Sequence, residues 1–414
     1  MKTIERHVNK DVAEIIDVLQ NDQNIPLFMD REYPQTLKSR FRYLRKREHS
    51  PRSLLNYWAL CYSWILEAYT EVVENKPPYL FCPSTPHLAK WYIRAKVYEL
   101  MGVPVYIVHQ TRLKEYFKIL KGTSRNAEVV KISGNENNCY VQDARQYINR
   151  CKTNYADAMP GHDKKRLENN NGKYLNVGML CQRNLARPDF VINTIRCWKE
   201  LKKLSISIND INAKGVAVYY LHYQPERTTL PEACGFTQQL RAILYMRALL
   251  PKDILLLVKE HPATFIRSCS PRARDPMYYK YIASIEGVEL IDIHCDTFEL
   301  IDNSVLTATI CGTVNTESLI RGKPTVIFGV DKFPEVTGQH VYESKDKLNV
   351  FIEDAVSGLY KKEDVSSDVE KAIYMEGEYV YSLKGEVNSG LKHMKARVAL
   401  EDFLLSSHCH NALA

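Results

Sequence analysis

Residues 50–74, SPRSLLNYWALCYSWILEAYTEVVE, repeat apolar and aromatic side chains at i, i+3, i+4 and i+7, the spacing that gives a helix one apolar face. Ser50 is placed to cap this helix and Pro51 fits its first turn. Lys76-Pro77-Pro78 breaks the pattern. Residues 79–82 are then a short apolar run, 87–101 return to helical spacing, Gly102 ends that helix, and 103–108 are apolar and β-branched. Strand, helix and strand separated by Pro or Gly predict a Rossmann-like α/β unit in the first half. Residues 122–176 interrupt the alternation with ISGNENNCY, a helix-like stretch at 141–158, and GHDKKRLENNNGKY, whose polarity predicts an exposed, mobile loop. A second long helix is expected at 188–203.

From Ala213 the alternation is more regular. Strands are predicted at 216–221, 254–259, 288–291, 305–310 and 325–328, and helices at 237–250, 277–285, 297–301 and 316–321. This order predicts a doubly wound sheet. Nothing repeats with a period of 20 to 50 residues, which excludes a solenoid. Residues 346–414 read as a mainly helical segment that packs back on the rest. The expected domains are therefore 1–185, 186–345 and 346–414.

Length and composition narrow the classes. The 414 residues are 45% hydrophobic and 25% charged, enough for two cores, and no run approaches ~18 consecutive apolar residues. A disordered chain, a coiled coil and a membrane-spanning protein are excluded. The N-terminal 20 residues lack the apolar core of a secretory signal, so the chain is read as cytoplasmic. Lys and Arg exceed Asp and Glu by 56 − 49 = 7, a mild excess that suits an anionic small molecule or anionic lipid better than nucleic acid. Eleven cysteines are scattered singly without a CxxC pair, so neither a zinc site nor a disulfide scaffold is expected. His408-Cys409-His410 lacks a fourth ligand and is not read as a metal site.

In a doubly wound sheet ligands bind beyond the carboxyl ends of the strands. Three polar groups fall there. The first is HYQPERTTLPE, residues 222–232, stiffened by Pro225 and Pro231 and carrying His222, Gln224, Glu226 and Glu232. The second is Lys259-Glu260-His261-Pro262, where His261 can donate to a phosphate or base. The third is Cys311-Gly312-Thr313 with Glu317 one turn on: Gly312 admits a close ligand, Thr313 can cap the helix, and Glu317 can accept from ribose hydroxyls. Each group taken singly is also explained by an ordinary turn or a solvated helix face, and it is their convergence in one domain that points to a site. GxGxxG, GxxxxGK[ST] and GxSxG are absent, which removes the main support for a dehydrogenase, a P-loop NTPase or an α/β-hydrolase.

HYQPERTT, then KEHP, then GTVNTESLIRGKPTVIFG resemble the bacterial surface-carbohydrate and capsule polysaccharide biosynthesis proteins, which are similar to two-domain GT-B glycosyltransferases. FMDR at 28–31 and FCPSTPHLAKWYIRAKVYELMG at 81–102 are similar to that family's acceptor-side domain, here short of its first strand. The resemblance spans most of 25–340. It implies two Rossmann-like domains facing a cleft and metal-independent transfer of a sugar from a nucleotide donor, CMP-Kdo in some relatives, to a cell-surface polysaccharide or lipid-linked glycan. By the same resemblance His261 and Pro262 line the nucleotide pocket with Lys259 nearby, and Gly312, Thr313 and Glu317 hold phosphate and ribose. His222 and Gln224 belong to the same donor loop. Glu226 or Glu232 is then the carboxylate near the anomeric carbon, and His87 and Asp30 face it from the acceptor side. No cofactor is expected besides the donor. The basic run at 38–47 suits a peripheral contact with the inner membrane surface. A sugar-nucleotide epimerase and a non-catalytic nucleotide-sugar or glycan-binding subunit are the alternatives.

Overall fold

The computed structural model describes residues 11–28, 51–113, 115–123, 127–130, 137–153, 161–170, 172–184, 188–224, 226–266, 273–331, 333–382, 397–401 and 404. Its strands are β1 (Leu80–Cys82), β2 (Val105–Gln110), β3 (Tyr116–Lys121), β4 (Glu128–Val130), β5 (Ser205–Ile206) and β6 (Gly215–Tyr220). They continue with β7 (Ile254–Lys259), β8 (Val288–Ile291), β9 (Leu306–Thr309), β10 (Thr325–Ile327), β11 (Gln339–Val341) and β12 (Tyr381–Ser382). The chain divides into two compact units, 1–142 with 375–414, and 143–374. The boundaries expected from the sequence pattern are at 185 and 345. The helix Lys345–Val356 buries Leu348, Phe351 and Ile352 in the core of the second unit, whereas β12 pairs with β3 in the first.

Both units are α/β, but their sheets differ. In the first, β1 and β2 are parallel, as the strand–helix–strand pattern predicts, with the helix Ala89–Leu100 between them in sequence. β3 then runs antiparallel to β2, β4 and β12, three pairings that the sequence pattern does not announce. The helix Pro51–Asn75 buries the seam Tyr57, Cys61, Ile65, Ala68 and Val72. Lys90 and Arg94 on the neighbouring helix pair with its Glu67 and Glu71.

The second unit carries a seven-stranded sheet in the order β11-β10-β9-β6-β7-β8-β5, with every pairing parallel. Leaving β5 aside, the chain winds outward from β6 through β7 and β8 on one side and through β9, β10 and β11 on the other, the order of a Rossmann fold. Strands of such a sheet are covered on both faces and so read as continuous apolar runs. ILLLVK of β7 is buried or nearly so along its length. The helices Pro188–Leu204 and Pro276–Ala283 pack on each other, and Gln239–Leu249 packs on Lys345–Val356. One expectation fails: the polar run read as a loop forms the helix Gly161–Asn169, and a second helix, Val177–Arg183, follows with Asn176 as its cap. Its polar side chains hid the first helix because they leave no apolar stripe of helical period. No described helix is long and apolar enough to cross a membrane.

Candidate functional site

The switch point of the sheet lies between β6 and β9, where the chain turns to opposite sides. His222, just past β6, spans it. Its Nε2 lies 3.0 Å from Thr309 Oγ1 of β9 and accepts the Cys311 backbone N–H at 3.2 Å. Burial, with the charges of His261 and Arg274 behind it, lowers the His222 pKa to about 3, so the ring is neutral at physiological pH. With Nε2 accepting, the ring proton sits on Nδ1, and among the described residues no protein group accepts it. Gly312 stands directly against this ring: a Cβ there would lie 3.2 Å from His222 Cε1.

The loop after β6 turns back on itself at Glu226–Leu230 and continues through a cis Leu230–Pro231 bond. Glu226 is half-buried, and among the described residues its carboxylate accepts only from the Thr228 hydroxyl, at 3.1 Å. Glu232 is buried, its carboxylate pairs with Arg227 at 3.3 Å, and its carbonyl accepts from Val330 after β10. The Cys311 thiol donates to Thr228 O at 3.2 Å; burial and the neighbouring Glu232 push its pKa well up, so it stays a thiol. Asp331, also past β10, accepts from Asn315 at 2.9 Å. The ends of β6, β9 and β10 thus gather Glu226, Arg227, Glu232, Cys311, Asn315 and Asp331.

The β7 end is built differently. Glu260 is fully buried and accepts from Arg274 Nε at 2.6 Å, the Tyr279 hydroxyl at 2.8 Å, the His261 N–H at 2.7 Å and the Thr264 hydroxyl at 3.1 Å. Burial works against the Arg274 charge, but Glu260 beside it holds the guanidinium pKa well above the ordinary value. Arg274 also donates to His222 O at 3.0 Å and Gln224 Oε1 at 2.9 Å, while Gln239 Nε2 donates to the same two oxygens. This network fixes the ends of β6 and β7 to each other.

Several expected ligand groups are therefore engaged by the protein. Gln224 spends its carbonyl on Arg274 and Gln239 and its amide on Thr237 O. Lys259 is buried and donates to the carbonyls of Ile293, at 3.2 Å, and Cys295, so it braces the loop after β8. Burial lowers its pKa to about 8, partly offset by Cys295, Asp296 and Asp292. His261 accepts the Ala263 N–H on Nδ1 at 3.0 Å and starts, with Pro262, the short helix Ala263–Ile266. Thr313 does not cap the helix Val314–Ile320: its backbone is already helical and its side chain makes no cap bond. Glu317 is buried within that helix, and burial raises its pKa to about 7. His87 belongs to the first unit, where its Nδ1 lies 3.0 Å from Thr85 O. Asp30, Pro225, the basic run 38–47 and the tail 408–410 lie outside the described residues. No group of three or more metal-ligating side chains occurs among the described residues. Arg274, Gln239 and Asp331 carried no local signal, since each acts through a partner distant in sequence.

No protein-family model matches the chain, and no curated protein matches it in sequence. Among solved structures it is similar to the UDP-GlcNAc 2-epimerase of Methanocaldococcus jannaschii in complex with UDP-GlcNAc and UDP, with 12% identity over 76% of this chain and 79% of that one and a TM-score of 0.31. It is also similar to KpsC, a β-Kdo 2,4 transferase of Thermosulfurimonas dismutans, with 12% identity over 66% and 77% of the two chains and a TM-score of 0.29. Likeness of this size fixes neither a family nor an activity for this chain.

Proposed function

We propose that the chain is a glycosyltransferase whose second unit holds a nucleotide-activated sugar at the switch point, for transfer to a cell-surface polysaccharide or lipid-linked glycan. The observation that carries this reading is the placement of a neutral His222 with an unclaimed Nδ1–H, and of Gly312 against its ring, between the two central strands of a Rossmann-ordered sheet. The motif resemblance makes a CMP-activated acidic sugar such as Kdo, the donor of some relatives, one candidate donor. Glu226 is the better base of the two candidate carboxylates, because Glu232 is already bound to Arg227. In the reaction the acceptor hydroxyl oxygen bonds to the anomeric carbon, and the anomeric C–O bond breaks with its electron pair leaving on the nucleotide phosphate. The hydroxyl proton passes to Glu226, and Arg227 balances the charge on the phosphate. His87 and Asp30 are proposed on the acceptor side, and the basic run 38–47 against the membrane surface.

The test is a thermal-shift panel with CMP, UDP, GDP and dTDP, followed by product analysis with donor. One nucleotide should raise the melting temperature, by an amount equivalent to about 2.7 kcal/mol at a hundred times Kd. Gly312→Val should abolish the shift by filling the space at His222. Glu226→Gln should keep the shift but lower turnover by about 10²-fold or more. No shift with any nucleotide refutes the reading, and an isomerised sugar nucleotide formed without acceptor replaces transferase by epimerase.

A further inference from the structure

In the first unit, the helix Pro51–Asn75 carries a second apolar line besides the one it buries. Leu55 is 69% exposed, Leu66 49% and Val73 42%, and between them fall Ala59, also exposed, and the half-buried Tyr62 and Tyr69. The steps from 55 to 59, 62, 66, 69 and 73 alternate four and three residues, the spacing that keeps one stripe of a helix against a facing helix. The core-facing line Tyr57, Cys61, Ile65, Ala68 and Val72 lies about a third of a turn away, so the two lines are separate faces. The helices Ala89–Leu100 and Val12–Gln20 pack on this helix and leave the second line uncovered among the described residues. Single surface leucines need no explanation, but apolar side chains repeated in one register over about five turns do.

The flanks of the line say which partner fits. Seams that select a different chain carry charges beside the apolar stripe, matched by opposite charges on that chain. Here one flank is Asn56, Ser63 and Thr70 and the other is Trp58, Ile65 and Val72, so no charge repels a like helix. The Tyr62 hydroxyl accepts from Gln20 at 2.9 Å, and covering its ring strands no polar group there. A stripe this narrow suits a helix rather than a bilayer surface, which takes a broad apolar face, and the exposed Glu74 at its end opposes anionic lipid. The 19 residues from 55 to 73 make a seam about 27 Å long, and two such helices face to face hide on the order of 1,000 Å2 in total, the lower end for a specific contact. We propose that this face docks a second copy of the chain, the two helices packing on each other about a two-fold axis. The small area makes the dimer reversible, with a Kd in the micromolar range. This inference does not depend on the nucleotide reading of the switch point.

The test is analytical ultracentrifugation of the full chain from about 1 to 100 µM, where wild type should pass from monomer to dimer. Leu66→Glu, which would bury a carboxylate of each copy in the seam, should raise Kd about a hundredfold or more. Leu66→Met should leave it within about threefold. Ser63→Lys keeps the apolar line and a good helix former, and sets like charges beside the seam; it should raise Kd about tenfold in low salt and less in high salt. Leu359→Glu, at a side chain 62% exposed in the second unit, should change nothing. Far-UV circular dichroism at the lowest concentration checks that each variant is folded. A wild-type chain still monomeric at about 100 µM, or a dimer that both Leu66→Glu and Ser63→Lys leave intact, overturns the inference. So does a monomer that sediments with phosphatidylglycerol vesicles and stops doing so in Leu66→Glu, a result that assigns the face to lipid.

Discussion

Replacing Arg274 with Met removes the only cation paired with Glu260 among the described residues, and the Glu260 side chain is fully buried. The carboxylate would keep the His261 N–H and the Thr264 and Tyr279 hydroxyls, but it would lose the guanidinium bonds at 2.6 and 3.4 Å. His222 O and Gln224 Oε1 would each retain Gln239 Nε2, at 3.1 and 3.0 Å, so neither is orphaned. The cost is thus mainly that of a buried charge without its partner, about 3 to 5 kcal/mol. The second unit spans 374 − 143 + 1 = 232 residues, a size at which each kcal/mol shifts the melting temperature by about 2 to 4 °C, so the expected fall is about 6 to 20 °C. The double variant Arg274→Met/Glu260→Gln removes the stranded charge and should recover at least about 1 kcal/mol relative to Arg274→Met alone. Trp198 is the only tryptophan of this unit and packs edge-on against Phe265, 4.9 Å between ring centroids, so its fluorescence after removal of the other three tryptophans follows the relevant unfolding. A single variant within about 1 kcal/mol of wild type, or a double variant as unstable as the sum of the two singles, would refute the reasoning.

Glu317→Gln tests the buried carboxyl. With the folded pKa raised from 4.5 to about 7, the native state holds its proton more firmly than the unfolded chain, so stability falls as pH rises from 4.5 to 7 and stays lost above. The Gln variant should match wild type near pH 4.5 and exceed it by up to about 3 kcal/mol at pH 8 in urea titrations. Lys259→Met tests the opposite sign. A folded pKa lowered from 10.5 to about 8 means that wild-type stability from this group rises as pH climbs from 8 towards 10.5, and the variant should lack that rise, by denaturation at pH 7.5 and 9.5. Gly322→Ala places a Cβ 2.7 Å from Lys362 O at a backbone φ of +76°, and it should destabilise by more than about 1 kcal/mol in the same assay.

How far the fold was legible follows from where each strand finds its partners. β7 and β8 fall at the residues the sequence predicts, and β6, β9 and β10 within a residue or so, because a strand covered on both faces reads as an unbroken apolar run. β3 escaped because YFKILK carries Lys118 in its middle, which a sequence reader takes as a solvated position. In the fold Lys118 is 3% exposed and paired with Glu376, itself 2% exposed and bonded by the Tyr140 hydroxyl at 3.3 Å. A charge can enter a strand core only when a partner arrives from elsewhere in the chain, and no window of sequence around Lys118 contains that partner.

The same logic divides the candidate site. That polar residues cluster after β6, β7 and β9 is a property of the local sequence, and the folded sheet brings the ends of those adjacent strands side by side. Which of them faces a ligand is not local. Gln224 and Lys259 look like ligand groups until Arg274, Gln239, Ile293 and Cys295 engage them, and these are contributed by elements far along the chain. Those same long-range bonds act on His222 in the opposite way. Cys311 and Thr309 occupy Nε2 and Arg274 occupies the backbone carbonyl, so the ring is held in one orientation, with no acceptor for its remaining proton among the described residues. A donor fixed by its neighbours before a ligand arrives loses little freedom on binding. On the proposed nucleotide reading, loosening the network around Glu260 and Arg274 should blur the aim of His222 as well as destabilise the sheet.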